Sequence, residues 1–153
     1  MVSSVSRDAS FTFRGRRIAY REYGAGPRVV MLIHGLLMDS RMYTTLAPTI
    51  AAGGHRVIAV DMLGHGASDQ PHEMTAYSMP QFGRDVIALL DHLDLREAVI
   101  GGTSLGANIA LEVAVAAPAR VRSCSRCRCS RMPCPQPPPP SSRSPSRFAS
   151  AIA

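Results

Sequence analysis

The chain has 153 residues, 46% of them hydrophobic, and a net charge of +6, enough for one domain with a buried core. Its charge is uneven. All Asp and Glu precede Val121 and there match the arginines in number, while Arg122, Arg126, Arg128, Arg131, Arg143 and Arg147 carry the entire surplus. The basic character therefore belongs to the C-terminal segment and not to the domain before it, and the lack of Cys before Cys124 excludes a disulfide scaffold there. Met1–Asp8 has no apolar core like a signal peptide, and Ala98–Ala117 is interrupted by glycines and Glu112, so it reads as strand plus helix rather than a membrane span. A cytoplasmic location is expected.

In chain order, Ile18–Gly24 alternates and ends at Gly, as an early antiparallel strand does. Arg28–Ile33 is a continuous apolar run closed by His34-Gly35, which reads as a buried strand. His55–Val60 is a second such run and leads into Asp61-Met62-Leu63-Gly64-His65-Gly66-Ala67-Ser68-Asp69. Next, Phe82, Val86, Leu89, Leu90 and Leu93 recur at helical spacing, with Asp85, Asp91 and Asp94 expected mostly outward. Glu97–Gly101 is a third β-branched run, followed by Gly102-Thr103-Ser104-Leu105-Gly106 and a helix-forming segment, Ala107–Ala114. Strands alternating with helices predict a parallel sheet covered by helices on both faces.

A Gly-x-Ser-x-Gly turn between strand and helix has a mechanical reading. The Ser sits on a strained turn, and a Cβ at the neighbouring positions would strike the adjacent strand and helix, hence Gly102 and Gly106. The hydroxyl is lifted to the tip of the sheet, at a helix N-terminus whose partial positive charge favours a developing anion. The plainer reading is a Gly-rich turn of a non-catalytic relative. A nucleotide-binding reading of Gly101–Gly106 fails, since neither a phosphate-loop Lys nor a G-x-G-x-x-G run is present.

Taken together and in this order, the motifs from about Phe11 to Val121 resemble the α/β-hydrolase fold family. The resemblance implies an α/β fold with a mostly parallel sheet flanked by helices. It implies that Ser104 is the nucleophile, with the N–H groups of Leu36 and Leu105 forming the oxyanion hole. His34 and Gly35 would order the oxyanion loop, and Asp61 and Ser68 would hold the turn after the following strand. His65 reads as structural or merely exposed. The implied substrate is a small ester-like molecule, and such hydrolases generally need neither metal nor organic cofactor. A Ser at the elbow sets the chain apart from relatives with an Asp nucleophile; esterase, lactonase, C–C hydrolase and haloperoxidase-like chemistries stay open.

Composition breaks near Arg122, giving residues 1–121 as the N-terminal part of a hydrolase domain and 122–153 as an Arg/Ser/Pro/Cys-rich tail expected to be disordered. Three readings of the tail compete. Cys124-x2-Cys127-x-Cys129-x4-Cys134 lacks the paired knuckles of a zinc site, so no metal is expected. A basic segment that binds nucleic acid or another acidic partner is the alternative function, from a non-catalytic class. The favoured reading is an out-of-frame product, because Ser, Arg, Cys and Pro are what GC-rich codons yield in a shifted register.

Activation of Ser104 would normally need an acid and then a His later in the chain. Here Glu112 is the last acid, and every His precedes Ser104. The expectation is a truncated hydrolase fold with little or no esterase turnover. Its strand before the elbow is expected to be left as an unpaired, aggregation-prone edge.

Overall fold

The computed structural model describes residues 6–126, and the rest of the segment read as a tail lies outside them. Two strands open the fold. β1 (Arg7–Phe13) and β2 (Arg16–Tyr23) form an antiparallel hairpin whose turn residues, Arg14 and Gly15, both have positive φ (51° and 74°). That is the backbone a two-residue hairpin turn requires, and Gly supplies it without strain. Four further strands follow: β3 (Arg28–Ile33), β4 (His55–Val60), β5 (Ala98–Gly102) and β6 (Val121–Arg126). The sheet order is β1-β2-β4-β3-β5-β6, with the β1–β2 and β2–β4 pairs antiparallel and the other three pairs parallel.

Helices cover both faces. On one side lies α1 (Leu46–Ala52), packing Ala47 and Ile50 against Val57, Ala59, Leu32 and Tyr43. On the other lie α2 (Met79–His92) and α3 (Leu105–Ala116), whose Phe82, Val86, Leu89, Ile109 and Val113 meet Met31, Ile33, Ile58 and Ile100. Successive residues of β3 and β4 thus feed opposite faces, which is why these strands read as unbroken apolar runs. Each such Leu or Ile stabilises the core by about 1.5–3 kcal/mol relative to exposure. No helix among the described residues is long and apolar enough to cross a membrane.

The sequence reading is corrected in two places. Asp91 and Asp94 are exposed, but Asp85 is buried at 4% exposure, because it falls three residues after Phe82 and four before Leu89 on the stripe that faces the sheet. And β5 is not an edge: β6 pairs with it in parallel, with Ile100 opposite Cys124 and Gly101 opposite Ser125. Arg122–Arg126 is therefore strand and not disordered tail. Parallel pairing needs backbone more than apolar side chains. The entry to β6 is anchored by Arg120, which donates to the carbonyls of Leu95 and Arg96 (2.8 and 2.9 Å) and pairs with Asp91 at 2.6 Å. The hairpin strand β1 and the short helix α1 were not foreseen.

Candidate active site

Three loops leave the carboxyl ends of adjacent parallel strands side by side. Ile33 ends β3 opposite both Val60 of β4 and Gly102 of β5, so the segments starting at His34, Asp61 and Thr103 emerge together. The N–H of Thr103 donates to the Ile33 carbonyl at 3.1 Å, which ties the end of β5 to the end of β3. Such an edge is where open α/β sheets place their chemistry.

Ser104 stands at the junction of β5 and α3 with φ 53° and ψ −111°, a backbone conformation that a residue with a side chain adopts only under constraint. Two glycines provide that constraint. A Cβ on Gly102 would run into the backbone of Gly106 and come within 2.8 Å of the Ile33 carbonyl; one on Gly106 would strike Ile33 and lie 2.7 Å from the His34 carbonyl. The strand, the turn and the helix meet backbone to backbone, and Ser104 is left exposed at the apex. Ser104 thus heads α3, where the N–H of Gly106 turns back onto the Thr103 carbonyl (2.9 Å) and that of Ala107 onto the Ser104 carbonyl (3.0 Å).

The loop after β3 runs beside this apex. A Cβ on Gly35 would lie 3.8 Å from Ser104 Cβ and 3.4 Å from the Thr103 carbonyl. The N–H of Met38 closes a turn onto the Gly35 carbonyl at 3.2 Å, with Leu36 and Leu37 at its tip, 62% and 89% exposed. Of the residues singled out from sequence, Ser104, Leu105, Gly102, Gly106, His34 and Gly35 come together at this edge. Leu36 stands on the neighbouring turn.

His34 is fully buried and both ring nitrogens are occupied. Nε2 accepts from the Met62 N–H at 3.0 Å and Nδ1 faces the Gly35 carbonyl at 2.8 Å. Burial holds its pKa below the ordinary histidine value, against the opposing pull of the Gly35 carbonyl. Asp61 and Ser68 hold the turn after β4. Asp61 Oδ1 accepts from the Ser40 N–H (2.6 Å) and Oδ2 from the Ala67 N–H (2.9 Å), while Ser68 donates to the Asp61 carbonyl (2.6 Å) and accepts from Ala19 (2.8 Å).

Two further side chains stand beside this edge: Tyr43, to which the sequence pointed in no way, and His65, read from sequence as structural or merely exposed. Tyr43 donates to the Ile33 carbonyl at 2.8 Å and its hydroxyl is 3.5 Å from Thr103 Oγ1; no local motif marks it. His65 reaches the loop after β3 through the Leu37 N–H at 3.4 Å. A groove of ≈ 700 Å³ also follows the α1 face of β3 and β5, between Val30, Leu32, Val99 and Ile50, but Ser104 does not line it. Among the described residues, no cluster of three His, Cys, Asp or Glu is placed to hold a metal ion. The cysteine series from Cys124 to Cys134 has its side chains outside what is described.

A family model described as the alpha/beta hydrolase fold matches residues 28–133. The chain is 36% identical over 109 residues to bifunctional epoxide hydrolase 2 of Sus scrofa, covering 71% of this chain and 20% of that protein. It is 34% identical over 100 residues to the 3-hydroxybutyrate-oligomer hydrolase of Cupriavidus necator, covering 64% of this chain and 34% of the relative. It is 38% identical over 112 residues to a non-heme chloroperoxidase of Streptomyces lividans, covering 72% and 40%. Among solved structures, epoxide hydrolase A from Mycobacterium thermoresistibile superposes with a TM-score of 0.76 at 26% identity, over 80% of this chain and 39% of that one. The thioesterase domain from the curacin biosynthetic pathway gives 0.73 at 27% identity, over 80% and 46%. The chain spans less than half the length of each of these proteins.

Proposed function

The chain belongs to the alpha/beta hydrolase fold family, and from that premise we propose that it carries the nucleophile and oxyanion half of a serine-type acyl-transfer site. The observation that carries the reading is the backbone of Ser104, held at φ 53° on an exposed apex between β5 and α3. In the proposed step the Ser104 hydroxyl oxygen bonds to the acyl carbon of an ester-like substrate and its proton passes to a base. The carbonyl electron pair moves onto oxygen, and the N–H groups of Leu105 and Leu36 donate hydrogen bonds to that oxygen. Backbone donors suit this because they are oriented before charge develops; removing one such donor typically costs about 10²–10³-fold in rate.

Among the described residues, this edge offers no free base. Both ring nitrogens of His34 are engaged, as are those of His65, so neither histidine at this edge has a lone pair available to the Ser104 proton. The chain by itself therefore has little or no ester turnover, yet its Ser104 still reacts slowly with an activated electrophile. The test is labelling of the full chain by a fluorophosphonate, with p-nitrophenyl acetate turnover followed alongside. Slow covalent labelling at Ser104, absent in Ser104→Ala, supports the reading. Labelling that persists in Ser104→Ala overturns the nucleophile, and sustained turnover lost in Ser104→Ala overturns the inactivity.

A further inference from the structure

The two histidines at the carboxyl edge cross between the same two loops in opposite directions. His34, on the loop after β3, accepts from the Met62 N–H of the loop after β4, and its Nδ1 faces the Gly35 carbonyl of its own loop. His65, on the loop after β4, accepts from the Leu37 N–H of the loop after β3 at 3.4 Å, and its Nδ1 faces the Leu63 carbonyl of its own loop at 3.1 Å. The rings lie 4.9 Å apart, centroid to centroid, tilted by 53°. A carbonyl cannot donate, so each Nδ1 carries the proton and each Nε2 is left as the acceptor that spans the gap.

The Leu37 end of this arrangement needs holding. Leu37 has φ +60° and is 89% exposed, so packing does not secure its left-handed backbone. It is the third residue of the turn closed by Gly35 and Met38, the position that in such turns is normally filled by Gly or Asn. Asp61 reaches the same loop further along, through the Ser40 N–H. Among the described residues, His65 is the side chain that accepts from the N–H at the tip of this turn.

We propose that His65 is a positioning residue for the loop after β3, keeping the Leu36 N–H where the Ser104 oxyanion forms; this rests on the acyl-transfer reading above. His65 touches no reacting atom and acts through Leu37. The same residue also tightens its own loop through Leu63, so the test must separate the two tasks.

Three full-length chains do so: wild type, His65→Phe and His65→Gln. Phe keeps an aromatic ring against His34 and offers no acceptor, whereas the Gln carbonyl oxygen can accept from the Leu37 N–H. The readouts are hydrogen exchange of the Leu37 and Met62 amides by NMR, and the rate of Ser104 phosphonylation by a fluorophosphonate. For His65→Phe, Leu37 exchange is expected to quicken about 10-fold while Met62, held by His34, keeps its protection. Phosphonylation slows by about 10- to 10²-fold, the scale of a 1 Å misplacement. His65→Gln recovers most of both. Wild-type behaviour of Leu37 in His65→Phe overturns the proposal, as does faster exchange of Leu37 and Met62 together with a lowered melting temperature. A wild-type chain that is not phosphonylated at all refutes the nucleophile reading; Leu37 exchange then decides alone whether His65 holds the loop.

Discussion

Gly106 and Ile33 touch backbone to backbone: a Cβ on Gly106 would occupy the space of the Ile33 carbonyl, on the last residue of β3. Through this contact the first turn of α3 seats directly on the neighbouring strand, and the apex of Ser104 is brought beside the loop that starts at His34.

Gly106→Ala is therefore expected to destabilise the fold by about 1–3 kcal/mol or more, since the obstacle is main chain and cannot rotate aside. Gly83→Ala is the control. Its Cβ would meet Glu112 Cβ at 3.2 Å between α2 and α3, where a few tenths of an ångström of helix movement suffice. Urea unfolding of both variants measures the difference. Equal midpoints would show that the strand and helix do not meet as described.

Ser104 itself is a source of instability. At φ 53° and ψ −111° a side chain costs about 1–3 kcal/mol, and Gly is free of that strain. Ser104→Gly should raise the melting temperature although Gly adds unfolded-state entropy worth about 0.5–1 kcal/mol. It should at the same time abolish fluorophosphonate labelling. Ser104→Ala keeps the Cβ and should lose labelling with no gain in stability. If Gly and Ala melt alike, the serine is not strained and the elbow reading loses its main physical support.

How far the sequence disclosed this arrangement can be read from particular residues. The parallel strands β3, β4 and β5 were legible because burial on both faces leaves unbroken apolar runs, and the elbow was legible because only Gly fits where backbones touch. β1 was legible and passed over, since Ala9, Phe11 and Phe13 alternate with the exposed Ser10 and Thr12, whereas α1 is a seven-residue helix around Pro48 with no strong period. β6 was hidden for a different reason. Its Arg, Ser and Cys residues have little strand-like pattern, and what places it is pairing with β5 and the Arg120 anchor. The part of His65 in the site depends on two loops meeting across strands distant in sequence, which no local pattern encodes.

Leu37 offers a test of the turn without touching its hydrogen bonds. Its left-handed backbone costs a residue with a branched side chain about 1–2 kcal/mol, and at 89% exposure that side chain packs on almost nothing. Leu37→Asn, which tolerates positive φ, is expected to stabilise the chain by about 0.5–1 kcal/mol, read as a higher melting temperature. A lower melting temperature would mean that the leucine side chain is covered in solution.

Asp85 should give the fold an unusual dependence on pH. Its carboxyl is buried on α2, with Gln81 Nε2 donating to Oδ1 at 2.8 Å and no partner for Oδ2 among the described residues. Burial pushes its pKa from 3.8 up to about 6; the Gln81 hydrogen bond and the positive charges of Arg16, Arg14 and Arg84 pull the other way without offsetting it. The folded chain thus holds this proton to higher pH than the unfolded chain. The stability from protonated Asp85 is present in full below the unfolded value, and it is lost as pH rises through that value toward about 6. Asp85→Asn removes the cost of burying the charged carboxylate above that range. The variant should be more stable than wild type by about 1–3 kcal/mol at pH 7, with the advantage shrinking toward pH 4. Urea unfolding at a series of pH values checks it: a constant gap between the two chains would show that Asp85 ionises as freely in the folded protein as in the unfolded one.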